Sequence, residues 1–445
     1  MKYAIVTLGC KVNQYETQAI ETLLQARGFS PAERDADVAI VNTCAVTAES
    51  VRKSRQAARR LRGLHPNALL ALCGCFSQLS PQDAADLGAD LIFGSGERAK
   101  LVQAIETRLS AAKDPEKISV GHAPLISVPE RGGGRQFEEL PAGSVSGRTR
   151  AMLKIQDGCD NFCTYCVIPY ARGRSRSLPL ARAAEMAADL KRRDYREIVL
   201  TGIEIASYGR DLPGGPELAD CVEAVAKAAD GLRIRLGSLE PTVVSRDFCR
   251  RLRELGNVCG HFHLSLQSGC DATLRAMGRK YDTARFLACT QLLREFFPNC
   301  ALGADLIAGF PGETEGDFEQ TLTFLATCAF AFLHVFPYSI RPGTRAAALP
   351  GQLGRAEKAR RAEAARALAA RMKAAYLRGC VGKTLPVLFE SEADGYCAGH
   401  GDNYCQVRVP GEHLRGLVGQ VEIEGVSGEV LVGKTVSLAR PPLLR

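Results

Sequence analysis

Near its start the chain carries three apolar runs that each stop at a small residue followed by a cysteine. YAIVTL leads to Gly9 and Cys10, ADVAIVN to Thr43 and Cys44, and NALLALC to Gly74 and Cys75. The cysteines are spaced by 34 and 31 residues, about one βα unit each. Strands that alternate with helical patterns (TQAIETLLQAR, ESVRKSRQAARRLR, RAKLVQAIETRL) argue a parallel sheet flanked by helices. Consecutive strands of such a sheet are neighbours. The loops at their carboxyl ends share one edge, where these sheets bind ligands. Cys10, Cys44 and Cys75 are therefore predicted to meet at one rim. Cys73 competes with Cys75 but lies inside its strand pattern, so Cys75 is the better candidate.

The chain has 17 cysteines among 445 residues. MKYAIVTLGC does not read as a signal peptide. The apolar runs fall far short of the roughly 20 residues that a membrane span needs. The expected location is the cytoplasm, where disulfides are rare, so metal ligation or thiol chemistry is the reason to look for among some of these cysteines. Cys221, Cys249, Cys289, Cys300 and Cys328 lie in apolar or helical patterns without ligand spacing and are expected as small buried residues.

A second cysteine group has a different form. In GCDNFCTYCVIPYARG, Cys159, Cys163 and Cys166 form C-x3-C-x2-C directly after the apolar run AMLKIQ. Three close thiolates without a fourth cysteine or histidine suit an iron–sulfur cube better than a structural zinc, which takes four ligands.

The chain divides into three regions by pattern. Residues 1–110 alternate strands and helices. Residues 111–148, scattered with Pro and Gly and holding a Gly triplet, read as a linker that could pair locally as a strand. Residues 149–378 contain six strand candidates, AMLKIQ, EIVLTG, RIRLGS, HFHLSL, LGADLIAG and FLHVFPYS, separated by helical stretches. Six βα units predict a barrel, or a partial barrel open on one side. Residues 379–445 read as a small all-β barrel. The overall class is α/β with a parallel N-terminal sheet, a partial six-stranded (β/α) barrel and a C-terminal all-β barrel.

The net charge of +8 is mild and suits a polyanionic partner without demanding one. Its distribution is uneven: Val51–Arg62 carries six Arg/Lys and no acid, and Gly354–Arg378 eight against two Glu. Two such helix-like segments favour nucleic acid as a partner.

With both cysteine trios in place, the chain resembles the methylthiotransferases of the radical S-adenosylmethionine (SAM) superfamily. Within them LGCKVNQYET, VNTCAVT, FCTYCVIPYARGRSRS, LTGIEIASYGRD and HVFPYSIRPGT are most similar to the branch acting on threonylcarbamoyladenosine of tRNA, next to the anticodon. Sister branches act on isopentenyladenosine in tRNA or on a ribosomal protein aspartate.

The resemblance implies an N-terminal auxiliary-cluster domain (1–110), a radical SAM core (149–378) and a TRAM domain (379–445). It implies two [4Fe-4S] clusters, one on Cys10, Cys44 and Cys75 and one, binding SAM, on Cys159, Cys163 and Cys166. The partners it implies are tRNA and an electron donor such as flavodoxin or ferredoxin. Residues at the barrel strand ends become candidates for holding SAM: Thr201, Gly202, Glu204, Arg235, Ser238, Glu240, Gln267 and Asp305. Glu240 is expected to accept from ribose hydroxyls or the methionine amine, and Arg235 to pair with a carboxylate. In GFPGET, Gly309–Thr314, turn formation is the expected role. The last region has six Lys/Arg against eight Asp/Glu, so an RNA face there must be local, with Tyr404 for stacking and Arg408 and Arg415 for phosphate.

Overall fold

A computed structural model describes residues 1–111, 123–129, 136–143 and 148–439. The N-terminal sheet has six parallel strands in the order Ser30–Pro31, Lys2–Thr7, Val38–Thr43, Leu69–Gly74, Leu91–Phe93, Leu125–Ser127. Its central strand VAIVNT is buried throughout, as a parallel strand covered on both faces must be. Helices Lys11–Gln25, Ala48–Leu64 and Arg98–Ala111 follow the strands. Thr47 caps the second of these, with its side chain accepting from the Ser50 amide. The linker segment Leu125–Ser127 thus joins the sheet as its edge strand. The Gly triplet lies outside the described residues.

The second unit has six parallel βα strands. Arg150–Lys154, Glu197–Thr201 and Arg233–Leu236 pair side by side, and Ser238–Leu239 continues into His261–Gln267, Ala301–Ala308 and Phe332–Pro337. The third βα strand is split at Gly237, which divides the ladder into two sheets. The first and last strands are not paired, so the barrel is open between them. Ile198, Leu200, Ile234, Leu236, Phe262 and Leu264 pack under the surrounding helices. The residues that alternate with them point the other way and, Val199 apart, are polar: Glu197, Thr201, Arg233, Arg235, His261, His263. In GFPGET, Gly309 has φ +76°, its amide donates to Glu313 Oε2 at 2.7 Å, and Thr314 caps the helix Glu315–Cys328.

Five strands close the C-terminal barrel in the order Thr384–Ala393, Tyr396–Gly401, Gln406–Pro410, Val430–Ala439, Val418–Ser427. Its turn at Gly401–Cys405 docks on the polar inner face of the larger barrel. Arg235 donates to Asp402 O at 2.7 Å and Gly401 O at 3.1 Å, and Arg233 to His400 O at 3.2 Å.

The long helix Arg355–Arg378 behaves differently from its composition. Arg361 is buried and paired with Glu313, Glu315 and Glu357, Arg360 with Glu315 and Glu357, and Lys373 with Glu429. These cations hold the helix to its neighbours rather than standing free for RNA. No described helix is long and apolar enough to cross a membrane.

Candidate functional site

The N-terminal cysteines sit where strand gives way to helix. Gly9 and Gly74 take φ of +105° and +103° immediately before Cys10 and Cys75. A Cβ on Gly9 would come within 3.0 Å of Cys44 Cβ and Sγ, and one on Gly74 within 2.4 Å of Thr43 O. Glycine therefore lets the three strand ends approach closely. Between them, Thr43 Oγ1 donates to Cys73 O at 2.6 Å, fixing Cys44 against the neighbouring strand end. Asn13 Nδ2 donates to Leu8 O at 2.7 Å and Thr43 O at 3.0 Å, tying the Cys10 and Cys44 loops together. Cys44 and Cys75 are buried, whereas Cys10 is exposed at the rim. Burial pushes the Cys75 thiol up to about 12 against the pull of Arg172, and Cys44 and Cys10 push the same way, which places the three sulfurs within electrostatic reach. Cys73 is fully buried within its strand.

The second trio occupies the loop after Arg150–Lys154. Cys159 Sγ accepts from the Asn161 amide and Cys166 Sγ from the Ile168 amide, both at 3.5 Å. Arg279 Nη1 donates to Cys163 Sγ at 3.2 Å. Burial pushes Cys159 and Cys166 to about 12, and their fellow cysteines add to the rise. Thiols so placed stay protonated unless a cation binds them, and N–H donors on sulfur then favour the bound thiolate. Among the described residues no group of three or more His, Cys, Asp or Glu side chains is placed to hold a single metal ion. Each trio offers three thiol donors, one short of the four that a structural zinc takes. In a four-iron cube each thiolate takes its own iron, so the sulfurs stand further apart. Both trios fit such a group.

The expected SAM contacts divide. Thr201, Gly202, Ser238 and Asp305 line one cavity of about 580 Å³ together with Cys10. A Cβ on Gly202 would meet Gln156 O at 2.9 Å, so this strand end also needs glycine. Asp305 pairs with His263 at 3.0 Å. Glu204 caps the short 3-10 turn Ile205–Ser207 and lies near enough to Cys159 to influence it. Glu240 receives Arg279 Nη2 at 2.7 Å. Burial raises the pKa of both carboxyls, and each retains oxygen lone pairs for a further donor. Gln267 ends its strand at φ +69°.

Arg235 is placed elsewhere. The carboxylate it pairs with is Glu197, at 2.7 Å, and its remaining donors go to carbonyls of the C-terminal barrel. Tyr404 stacks on His261 and His400, with ring centroids at 4.8 and 5.1 Å, and faces Arg235, Arg150 and Lys11. It stands part-exposed at the seam between the two barrels and lines the cavity that holds Cys10, Thr201 and Gly202. Arg408 lies over the Tyr396 ring on the outer face of the C-terminal barrel. Arg415 is exposed and lines a groove with Lys11, Gln18, Arg148 and Arg150.

Four residues that the sequence patterns did not single out join the two trios. Arg172 donates to Glu16 Oε1 at 2.8 Å, Asn13 Oδ1 at 2.8 Å and Asp157 Oδ1 at 3.0 Å. Glu16 also receives Arg98 at 2.8 Å, and Asp157 receives Arg176 at 3.0 Å and Lys154 at 3.2 Å. Burial would raise the Glu16 carboxyl, but Arg172, Arg98 and Lys154 hold it well below the usual carboxylate range. Arg279, on the far side, links Cys163 to Glu240. Asn13 and Glu16 did leave a trace in sequence: they share a helix face three apart, as polar residues on a buried side.

A family model described as the radical SAM superfamily matches residues 153–325, and one described as uncharacterized protein family UPF0004 matches residues 2–94. The threonylcarbamoyladenosine tRNA methylthiotransferase MtaB of Thermotoga maritima is 34% identical over 431 residues, covering 96% of this chain and 95% of that one. The Bacillus subtilis protein of the same name is 35% identical over 430 residues, 94% of this chain and 93% of its own. A tRNA-2-methylthio-N(6)-dimethylallyladenosine synthase of Oleidesulfovibrio alaskensis is 36% identical over 409 residues, 90% and 85% of the two chains. Among solved structures, the radical SAM methyltransferase TsrM of Kitasatospora setae, with cobalamin and a [4Fe-4S] cluster bound, superposes with a TM-score of 0.54 at 14% identity, over 89% of this chain and 80% of that one. At that identity the likeness is one of fold.

Proposed function

The chain belongs to the radical SAM methylthiotransferases, and from that premise we propose that it adds a methylthio group to C2 of threonylcarbamoyladenosine, beside the anticodon of tRNA. One observation carries the reading. Cys10 of one trio lines the same cavity as Thr201 and Gly202, two residues from the Glu204 that lies beside Cys159 of the other. A base held in that cavity would lie against Cys10 of the first trio and the strand end that leads to Glu204.

Cys159, Cys163 and Cys166 would hold the SAM-binding [4Fe-4S] cluster, and Cys10, Cys44 and Cys75 a second one. Bound there, these groups supply one-electron cleavage of SAM and the sulfur to be transferred. The chain's own residues orient and exclude. Arg279 fixes Cys163 while holding Glu240 in place. Glu204 and Glu240 offer carboxylate oxygens to the ammonium or ribose hydroxyls of SAM, and Thr201, Gly202, Ser238, Gln267 and Asp305 shape the wall around it. Asn13 and Arg172 set the N-terminal helix against the barrel loop. Residues 1–110 form the auxiliary-cluster domain, 149–378 the radical SAM core and 379–445 the TRAM domain, with Arg408 and Arg415 on its RNA-facing side. The setting is the cytoplasm, with an electron donor such as flavodoxin or ferredoxin.

Similarity to dimethylallyladenosine synthases supports a second reading, in which the substrate is isopentenylated adenosine. Mass spectrometry of tRNA nucleosides from cells with and without the protein separates the two. Loss of 2-methylthio-threonylcarbamoyladenosine alone is expected. Loss of the isopentenyl product instead moves the chain to the other branch.

A further inference from the structure

Lys11 breaks two local rules at once. It is the first residue of the helix Lys11–Gln25, whose opening turn holds no acid and whose N-cap, Cys10, makes no side-chain capping bond. A cation there faces the positive end of the helix dipole. Its ammonium is half-buried, yet it makes no hydrogen bond or ion pair with any described residue. The groups that face it are Tyr404, Arg235, Arg150, Glu197, His261 and His334. Of the carboxylates around it, Glu197 is taken by Arg233 and Arg235, Asp305 and Glu429 in the shared cavity pair with His263 and Lys373, and Glu390 in the adjoining groove pairs with Arg150. Violations of this kind collect at functional sites.

Lys11 also lines the cavity that Cys10 shares with Thr201, Gly202 and Ser238. At about 580 Å³ that cavity lies within the roughly 300–1,000 Å³ usual for small-molecule sites. The chain's relatives act on two kinds of substituted adenosine. A threonylcarbamoyl group ends in a carboxylate, whereas a dimethylallyl group is a neutral hydrocarbon.

We propose that Lys11 reads the substituent on the target adenosine, pairing its ammonium with the threonyl carboxylate inside the cavity. This rests on the substrate reading above and adds to it the residue that enforces it. The ammonium lies over the Tyr404 ring, 5.9 Å from its centroid, and an acidic substituent adds the hydrogen-bonding anion that the ring cannot supply. A hydrocarbon substituent desolvates the ammonium without replacing its water, which penalises the wrong substrate. The discrimination is thus both attractive and repulsive.

The test is binding by the full-length, iron-loaded protein of anticodon stem–loops that differ at one nucleotide: adenosine, dimethylallyladenosine, threonylcarbamoyladenosine, or the methyl ester of the last. The unaltered protein should bind the free acid about tenfold or more tighter than its ester, as a charge-assisted bond requires. Lys11→Met should bring that ratio close to one, and Lys11→Arg should keep it. Equal affinity of the unaltered protein for acid and ester overturns the proposal without reference to any variant. A gap that survives in Lys11→Met also overturns it. So does equal weakening of all four RNAs in that variant, which would make Lys11 a phosphate contact. Whether the unaltered protein methylthiolates the acid-bearing stem–loop is read separately by mass spectrometry, and failure there removes the substrate reading itself.

Discussion

Glu197 shows how much one side chain carries in this molecule. It is fully buried and receives two guanidiniums, Arg233 and Arg235, whose other donors hold the C-terminal barrel. Burial alone would raise its pKa, but the two arginines hold it well below the usual carboxylate range. Glu197→Gln leaves buried positive charge uncompensated, with an expected loss of about 3–5 kcal/mol in chemical denaturation. Because the folded-state pKa is depressed, the stabilisation is complete above the ordinary carboxylate range and fades as pH falls through it. The gap between wild type and Glu197→Gln should therefore be widest above about pH 5 and narrow in acid. Arg279 carries a chemical role at the same scale. Arg279→Met removes a donor from Cys163 and frees Glu240. It should lower SAM cleavage by about 10–100-fold, as loss of an outer partner of a metal ligand does. An unchanged rate of 5′-deoxyadenosine formation would show that the arginine is structural only.

At the scale of elements, the barrel was legible from sequence because each of its six strands is an apolar run between helical patterns. The split of the third strand at Gly237 was not, since one glycine in RIRLGSLE does not say that the ladder changes partner there. The cysteine rim was legible for the same reason as the barrel: period and position suffice. Arg235 was not placed correctly by pattern, because the Asp402 carbonyl it donates to lies 167 residues away in sequence, on another unit. The helix Arg355–Arg378 misleads in the opposite direction. Arg361 is buried among carboxylates and Arg360 pairs with Glu315 on the neighbouring helix, whereas Arg355, Arg366, Arg371 and Arg378 stay exposed, so only part of the basic surface read from its composition is present. The docking of Gly401–Cys405 has its own consequence. Deleting residues 380–445 uncovers Glu197, Arg233, Arg235 and His261 together, so the shortened chain should melt lower and lose SAM cleavage as well as tRNA binding. Circular dichroism with a cleavage assay checks this. Full cleavage by the shortened chain would show that the two barrels are independent.

Across the whole molecule, three units converge on one space. Lys11 comes from the N-terminal helix, Arg150 and Arg235 from the larger barrel and Tyr404 from the C-terminal one. Glu16, Arg172 and Asp157 lock the first unit to the second through buried ion pairs. The two trios are thereby held in a fixed relation while each stays on its own unit, so they should be separable by mutation. The most direct test replaces Cys10, Cys44 and Cys75 together with alanine, confirms folding by circular dichroism, and measures iron, 5′-deoxyadenosine and methylthiolated tRNA on one preparation. The account predicts that iron falls from about eight per chain to about four, that SAM cleavage under dithionite persists, and that no methylthio group reaches tRNA. Methylthiolated tRNA from the folded triple variant would contradict it.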